Sequence, residues 1–206
     1  MSRQRKLVLA TNNSHKKLEM SALLSHLGIF IVGLDDFPQI GEIEETGTTL
    51  LENSLIKART VHEITGLPAL ADDTGLEVDA LDGAPGVYSA RYAGKDPSYE
   101  DNVNKLLFEL KGLKLDKRNA RFRTVISYAD DNVELHSEGV IEGVITLESK
   151  GTEGFGYDPV FQPESYSCTF AEMHQDEKNL ISHRARALEK MKKILEPYFD
   201  KGEYIG

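Results

Sequence analysis

The opening segment of the chain constrains its fold more than any other part of the sequence. Residues 6–10 (Lys-Leu-Val-Leu-Ala) predict a short buried strand, and residues 29–32 (Ile-Phe-Ile-Val) predict a second one. Residues 16–27 between them have the apolar spacing of a helix. Its apolar face is predicted to carry Leu18, Ala22, Leu23 and Leu27. A strand, a helix and a strand in so short a length are typical of a parallel crossover unit, so we predict an α/β fold.

A second helix is predicted after a loop at residues 42–47. Thr49 and Glu52 have the spacing of a capping box, and residues 66–68 (Gly-Leu-Pro) have the composition of a helix end. Lys57 is predicted to lie away from the apolar face of this helix. The residues predicted to face a core are Leu51, Leu55, Ala58 and Ile64.

The rest of the chain adds strands and further helices. Short strands are predicted at residues 69–71 and 76–78, on either side of Asp72-Asp73-Thr74-Gly75. The remaining predictions are a helix over residues 98–110, an antiparallel portion over 120–129 and 133–146, and a final helix over 181–199 interrupted by Pro197. A length of 206 residues fits one domain or two small lobes, and since the sequence contains no repeat and no linker, we expect a single domain over residues 1–206.

Charge and composition exclude several classes of protein. The chain carries 24 Lys and Arg against 34 Asp and Glu, a net charge of −10, and an acidic surface repels nucleic acid. No apolar run approaches the ~20 residues of a membrane-spanning helix, so we expect no membrane partner. The basic N-terminus is followed by an apolar run that stops at Ala10, so we expect no export. With a single cysteine, Cys168, the expected location is the reducing cytoplasm.

The residues after the first strand are candidates for a phosphate-binding loop. Thr11-Asn12-Asn13-Ser14-His15-Lys16 stands where a strand leads into a helix. Backbone N–H groups at a helix N-terminus attract phosphate, and a lysine adds positive charge. The alternative is that the Asn and Ser side chains only cap the helix, which is commoner across proteins.

A pair of carboxylates, Asp72 and Asp73, lies between the two short apolar strands. Mg²⁺ prefers hard oxygen ligands of this kind and usually keeps several waters. Adjacent side chains of an extended backbone face opposite ways, so we do not expect both to bind one ion. Glu44 or Glu45 could supply the partner carboxylate. The alternative is an aspartate turn before Gly75.

Residues 151–159 form a glycine-rich segment with two aromatic side chains. Phe155 could stack on a flat ring, and Asp158 could accept a hydrogen bond from a ring N–H. The alternative is a tight loop whose aromatic residues fill the core, which is common for Phe and Tyr.

The segment before the last helix carries two basic residues. Ser182 suits an N-cap, which places His183 and Arg184 in the first helical turn. Cations there oppose the helix dipole, at a cost of a few tenths of a kcal/mol, so a compensating role is expected. Binding a keto oxygen or a phosphate would supply one, and the alternative is a solvated charged turn.

Taken in order along the chain, these motifs resemble those of one family. They are Thr11-x-Asn13-x-x-Lys16, Glu44-Glu45-Thr46-Gly47, Asn53 with Lys57, Ala71-Asp72-Asp73-Thr74-Gly75-Leu76, Gly83-Ala84-Pro85-Gly86-Val87-Tyr88-Ser89-Ala90-Arg91, Gly154-Phe155-Gly156-Tyr157-Asp158-Pro159, and Lys178 with Ser182-His183-Arg184. The series closely resembles the inosine triphosphate pyrophosphatase family, also called Ham1-like or RdgB-like proteins. The resemblance spans roughly residues 7–195.

The resemblance implies an enzyme that hydrolyses the noncanonical purine nucleotides ITP, dITP and XTP to the monophosphate and pyrophosphate. Such an enzyme keeps deaminated purines out of DNA and RNA. The resemblance also implies a mixed-sheet α/β fold of two lobes with the nucleotide in the cleft between them, a Mg²⁺ cofactor and a homodimer.

It further implies a role for each matching residue. Glu45 and Asp73 would bind Mg²⁺, and Asp73, supported by Asp72, would also be the base that activates water. The triphosphate would be bound by Thr11, Asn12, Asn13, Ser14, His15, Lys16, Lys57 and Lys178. Other substrate contacts would come from Thr74, Phe155 stacked on the purine, Gly156, Tyr157, and, at the hydrogen-bonding edge of the base, Asp158, His183 and Arg184.

Two alternatives to this activity stay open on the sequence. One is a related pyrophosphatase for a different modified nucleotide. The other is a regulatory module that binds such nucleotides without turnover, against which Asp73 and Glu45 argue, since a pure binder needs no water-activating carboxylate. The chain departs from the family pattern at Glu153, where relatives often have glycine, and at Thr74, where many have serine.

Overall fold

The computed structural model describes residues 6–24 and 29–200, the last two without their side chains. Its strands are β1 (Lys6–Leu9), β2 (Phe30–Gly33), β3 (Ala69–Val78), β4 (Pro85–Gly86), β5 (Asn119–Ala129), β6 (Glu134–Ile145) and β7 (Phe161–Pro163). Its helices are α1 (Ser14–Leu24), α2 (Leu50–Thr65), α3 (Tyr99–Glu109), α4 (Gln175–Ile181) and α5 (His183–Asp200). Short 3₁₀ turns lie between several of these elements.

The strands form a mixed sheet in the order β2-β1-β3-β5-β6-β7, with β4 paired to β3 outside this series. β1 is parallel to β2 and to β3, with Val8 opposite both Val32 and Ala69. The pairs β3–β4 and β6–β7 are antiparallel. The predicted crossover unit is therefore confirmed as β1-α1-β2, and so is the α/β class with a mixed sheet.

The chain forms two compact units. The first comprises the residues up to Asp73, Thr124–Gly139 and the residues from Arg184 onward. The second comprises Thr74–Arg123 and Val140–His183. Each unit has apolar clusters of its own.

In the first unit, β1 and the start of β3 are buried on both faces. One face packs against α1 and α5 and carries Leu7, Leu9 and Leu70. The other packs against α2 and carries Val8, Ala10, Ala69 and Ala71. Because successive side chains of a strand point to opposite faces, a strand covered on both sides must be apolar at every position. This double burial explains the unbroken apolar run that opens the chain.

In the second unit, α3 and several aromatic rings build the core. Val103 and Leu106 of α3 are buried in it. The ring of Phe161 lies with its centroid 4.7 Å from that of Phe122 and 5.3 Å from that of Phe170. Tilted ring pairs at such separations stabilise a core beyond the area that they bury.

Several predicted helix and strand ends are confirmed. Thr49 and Glu52 form the capping box of α2, which ends at Gly66. Ser98 caps α3. The predicted antiparallel portion is found as β5 and β6, adjacent in the sheet and joined by a turn in which the Asp130 N–H donates to the Val133 carbonyl.

Other predicted elements differ in the structure. The two short strands around Asp72 and Asp73 are one continuous strand, β3. The predicted final helix over residues 181–199 is found as α5, which starts at His183 and continues through Pro197 instead of being interrupted there. A further helix before it, α4, was not predicted. The predicted helix over residues 16–27 begins at Ser14 and buries Met20 and Leu24.

The predicted apolar face of that helix is wrong at Leu18 and Ala22, whereas Leu23 packs, partly buried, against the core of the first unit. Leu18 is 70% exposed, and Leu27 lies outside the described residues. Leu18, Ala22 and Leu23 suggested one stripe, but the row formed by Lys16, Met20 and Leu24, at intervals of four, is the one that turns towards the sheet.

Candidate active site

The alternation of β3 separates its two adjacent carboxylates. Asp72 shares a face with Leu70, towards α1 and α5, and Asp73 shares a face with Ala71, towards α2. Both are buried, with exposures of 1% and 6%. Their observed partners differ accordingly, which confirms the expectation that the two side chains face opposite ways.

Asp73 belongs to a cluster around the ammonium group of Lys57. Lys57 Nζ donates to Asp73 Oδ1 over 3.2 Å and to Glu45 Oε1 over 2.7 Å. Lys57 is itself buried, at the middle of α2. The two carboxylates assigned to metal binding by the resemblance thus converge on one cation in the first unit.

Burial and charge set the protonation of this cluster. Burial raises the pKa of Asp73 above its ordinary value, while Lys57 and Lys16 oppose the rise. Burial acts to lower the pKa of Lys57, but Asp73, Glu45 and Asp72 together hold it above its ordinary value. Lys57 therefore stays protonated, and Asp73 is a stronger base than an exposed aspartate.

The helix α2 presents a polar row to this cluster, and its predicted orientation is confirmed at Ala58 but wrong for Ile64 and Lys57. Asn53 and Lys57, four residues apart, are both buried, whereas Ile64 is exposed. Leu51 and Leu55 are only half-buried. A stripe of leucines predicts the buried face only where the helix packs on apolar residues. The residues of α2 that face β3 meet a carboxylate as well as alanines.

Asp72 lies in a second cluster of ion pairs, within the first unit. Lys16 Nζ is 3.1 Å from Asp72 Oδ2, and Arg184 Nε donates to the same oxygen over 3.2 Å. The guanidinium group of Arg184 also pairs with Glu19 of α1. Burial would raise the pKa of Asp72, but Lys16, Arg184 and Lys57 hold it well below its ordinary value.

Lys16 and Arg184 respond to burial in different ways. Burial lowers the pKa of Lys16, although Asp72 acts against this change. The pKa of Arg184 is raised, because Glu19 and Asp72 outweigh the effect of burial. Arg184 stands in the first turn of α5, where a cation opposes the helix dipole, so these two carboxylates supply compensation for its position.

The loop from Thr11 to Lys16 is organised by its own side chains. Thr11 Oγ1 accepts from the Asn13 N–H over 3.2 Å. Asn13 Oδ1 accepts from the N–H groups of His15 and Lys16 over 3.0 and 3.2 Å. The capping alternative is thus present in the structure. Asn12, Ser14 and His15 are exposed beside it, and phosphate binding by this loop stays a prediction.

In the second unit, Asp158 ties the glycine-rich loop to α4. Its Oδ2 accepts from the Phe155 N–H over 2.9 Å and from Lys178 Nζ over 2.6 Å. The same ammonium group lies 5.0 Å from the centroid of the Phe155 ring. Gly154 has a φ of 74°, and a Cβ there would collide with the Asp158 carboxylate, so this position requires glycine.

Two other predicted substrate residues of the second unit lie in its core. The ring of His183 stacks on Phe122, with the centroids 4.6 Å apart and the planes 18° apart. Tyr157 is buried, and its hydroxyl donates to the Ser89 carbonyl over 2.9 Å. For Tyr157 the structure therefore shows the packing role that its alternative interpretation described.

The remaining two predicted substrate residues of this unit are less buried. Thr74 and Gly156 are both half-buried. Substrate contacts by these four residues stay predictions.

Sequence reasoning missed two residues of these clusters. The burial of Glu19 was predictable from its position, since it stands one turn after Lys16 and next to Met20. The prediction failed because the wrong face of the helix was expected to be buried. Tyr99 starts α3, and its ring centroid lies 6.0 Å from that of Phe155. Local sequence gave no signal for Tyr99, because the contact joins segments more than 50 residues apart.

Within residues 6–24 and 29–200, no group of three or more His, Cys, Asp or Glu side chains is arranged to hold a metal ion. In the same ranges, no helix is both long enough and apolar enough to cross a membrane.

Comparison with known proteins places the chain in a family. The Ham1 family model matches residues 7–194. The dITP/XTP pyrophosphatase of Desulforamulus reducens is 52% identical over 191 residues, covering 92% of this chain and 95% of the relative. The enzyme of the same name from Shigella flexneri is 50% identical over 186 residues, covering 89% and 94%.

Solved structures agree with this placement. A HAM1 protein from Coxiella burnetii superposes with a TM-score of 0.86 at 44% identity, covering 94% of this chain and all of the other. The Ham1 protein of Staphylococcus aureus gives a TM-score of 0.84 at 35% identity, with the same coverage. Sequence and fold together show that the chain belongs to the Ham1 family of enzymes.

Proposed function

We propose that this chain hydrolyses the noncanonical purine nucleoside triphosphates dITP, XTP and ITP to the monophosphate and pyrophosphate. The family and the names of its relatives support the reaction class. The observation that carries the proposal is the convergence of Glu45 and Asp73 on Lys57, beside a separate ion pair of Lys16 and Asp72. A site that only bound nucleotide would need the lysines but not a basic carboxylate.

Asp73 is the general base of the proposed reaction. It takes a proton from water as the water oxygen bonds to the α-phosphorus, and the bond from that phosphorus to the bridging oxygen of the β-phosphate breaks. Pyrophosphate leaves with the electrons of that bond. The Asp73 carboxylate, held by Lys57 on the same side as Glu45, is in place to accept this proton.

The donor set of this cluster fits Mg²⁺. Glu45 and Asp73 present hard oxygen donors, and burial of Asp73 adds to the demand for a neutralising cation. Two carboxylates suffice, because Mg²⁺ is commonly held by one or two carboxylates plus waters and substrate phosphates. When bound, Mg²⁺ supplies positive charge to the phosphate oxygens on which negative charge develops.

Lysine side chains of the chain are proposed to bind the triphosphate. Lys57 and Lys16 neutralise the triphosphate oxygens, which stabilises the transition state as well as the bound substrate. The N-terminus of α1, which lies within the loop from Thr11 to Lys16, adds the positive end of its helix dipole for the same anion. Lys178 is a further proposed contact of the triphosphate.

Recognition of the base is assigned to Phe155, Asp158, His183 and Arg184. Phe155 is half-buried and offers a ring for stacking, and Asp158 holds the backbone of that residue in place. Hypoxanthine and xanthine carry a keto oxygen at position 6, whereas adenine carries an amino group there. Donors facing that position favour the keto bases, because a mismatch leaves buried polar groups unpaired.

The proposal extends to assembly and location. We expect a cytoplasmic homodimer, as the resemblance implies. Light scattering after size exclusion should give twice the mass of one chain, and the mass of a single chain would overturn the dimer without affecting the proposed reaction.

The deciding experiment is pyrophosphate release from dITP, ITP, XTP, GTP and ATP, each with Mg²⁺ and with EDTA. Release from the first three that requires Mg²⁺, with GTP and ATP far slower, supports the proposal in full. Equal rates on all five would keep the chemistry and discard the assigned base recognition. Nucleotide binding with no release from any of them would favour the regulatory module.

A further inference from the structure

We propose that Asn53 is a positioning residue that sets the geometry between Glu45 and Asp73, and through it the affinity of this pair for a divalent cation. The inference rests on the proposed function, since it concerns the same pair of carboxylates. Neither the local sequence nor the resemblance gave Asn53 a role of its own. The contacts of its amide group do so.

Both ends of the Asn53 amide are engaged inside the first unit. The side chain has no exposed surface. Its Oδ1 accepts from the Gly47 N–H over 2.8 Å, and its Nδ2 donates to Asp73 Oδ2 over 3.4 Å. One planar group therefore links the loop that carries Glu45 to the strand that carries Asp73.

The loop before α2 can reach this amide only because residue 47 is glycine. A Cβ at Gly47 would lie 2.7 Å from Asn53 Oδ1 and 2.6 Å from Glu52 Cβ. Glu52 holds the next two residues, accepting from the N–H groups of Thr48 and Thr49 over 2.6 and 3.1 Å. Glu45 stands two residues before this fixed point, so its position depends on the Gly47–Asn53 hydrogen bond.

The same helix orients both oxygens of Asp73. Lys57 Nζ donates to Asp73 Oδ1. Asn53 lies one turn earlier on α2, and its Nδ2 donates to Asp73 Oδ2. Without Asn53 the carboxylate could rotate about its last torsion, and the loop would lose the hydrogen bond that holds Gly47 to the helix. Loss of an outer-shell partner of this kind typically costs about 10–100-fold in metal affinity.

The test measures cation binding without substrate or turnover. Mn²⁺, whose electron spin resonance signal reports the free ion, is titrated into the wild-type chain and into Asn53→Leu, which keeps the number and branching of the side-chain heavy atoms and removes both hydrogen bonds. Ser54→Ala is the matched control. Ser54 is as deeply buried on the same turn, but its hydroxyl pairs with Ser127 Oγ at 2.7 Å, away from the carboxylates.

We expect the dissociation constant of Mn²⁺ to rise at least about ten-fold in Asn53→Leu and to stay unchanged in Ser54→Ala, although both variants lose a buried hydrogen bond. If Asn53 has a purely structural role, Asn53→Leu should lower the melting temperature, as Ser54→Ala does, and leave Mn²⁺ binding unchanged. Equal Mn²⁺ affinity in wild type and a folded Asn53→Leu overturns the inference.

Gly47→Ala keeps the proposal testable if Asn53→Leu does not fold. Gly47 is half-buried, and a methyl group there would collide with Asn53 and push the loop away from it. This variant should therefore also weaken Mn²⁺ binding. Unchanged Mn²⁺ binding in Gly47→Ala would contradict the inference. A wild-type chain that binds no Mn²⁺ would instead remove the proposed metal site itself, together with this inference.

Discussion

Asp72 and Asp73 are neighbours in β3, and their carboxylates are buried on opposite faces of the sheet. Asp72 lies among cations that keep it ionised, with a pKa well below its ordinary value. Asp73 has a raised pKa, because burial outweighs the lysines near it. One strand therefore holds a permanent anion and a basic carboxylate side by side, and each should respond differently to substitution.

Replacing Asp73 by Asn should abolish catalysis and spare binding. The amide keeps the shape of the side chain but cannot accept the proton of water. We expect pyrophosphate release from dITP to fall at least about 10²-fold, the low end of general-base effects. Equilibrium dialysis in EDTA should give a similar affinity for dITP in both proteins. Unchanged turnover would remove Asp73 from the mechanism.

Glu45 and Glu44 form a matched pair for testing the metal site. Glu45 Oε1 contacts Lys57, whereas Glu44 is exposed. We expect Glu45→Gln to raise the Mg²⁺ concentration for half-maximal rate by at least about ten-fold, since a direct ligand should matter no less than an outer-shell partner. Glu44→Gln should behave as wild type. Equal Mg²⁺ dependence of the two variants would argue against a metal-binding role for Glu45.

Glu19 should matter for stability rather than for chemistry. It is buried and pairs with Arg184, so Glu19→Gln leaves part of a buried positive charge uncompensated. Breaking a buried ion pair costs about 3–5 kcal/mol of unfolding free energy. The control is Glu189→Gln on α5, whose glutamate is 54% exposed and pairs with Lys192. That surface pair should contribute no more than about 1 kcal/mol. Urea unfolding measures both, and equal midpoints would contradict the assignment.

Local chemistry predicted the parts of the fold and site that depend on neighbouring residues. The capping box of Thr49 and Glu52 and the N-cap Ser98 were readable because their hydrogen bonds close within one turn. The alternation that separates Asp72 from Asp73 was readable for a similar reason. Two short strands were predicted in place of β3, since two adjacent aspartates disfavour a buried strand unless cations from elsewhere pair with them.

Those cations come from distant parts of the chain, which is why they were not predicted. Arg184 donates to Asp72, which lies 112 positions earlier in the sequence. The resemblance implies that its side chain binds the purine base of the substrate, and the local sequence does not indicate a contact with Asp72. Lys57 was placed away from the core because leucines outnumber polar residues on the opposite side of α2. In both cases a buried charge decided the orientation, and hydrophobic spacing carries no information about buried charges.

Phe155 should contribute to binding through the base and not through the phosphates. We expect Phe155→Ala to lose about 1–3 kcal/mol of affinity for dITP, the usual scale of stacking between a base and an aromatic ring. Isothermal titration in EDTA measures this loss. Inorganic triphosphate should bind both proteins equally, because it has no base. Phe108→Ala is the control, since Phe108 is 74% exposed on α3 and belongs to no ligand cluster described above. Equal dITP affinity in Phe155→Ala and wild type would show that the ring only packs against Tyr99 and Lys178.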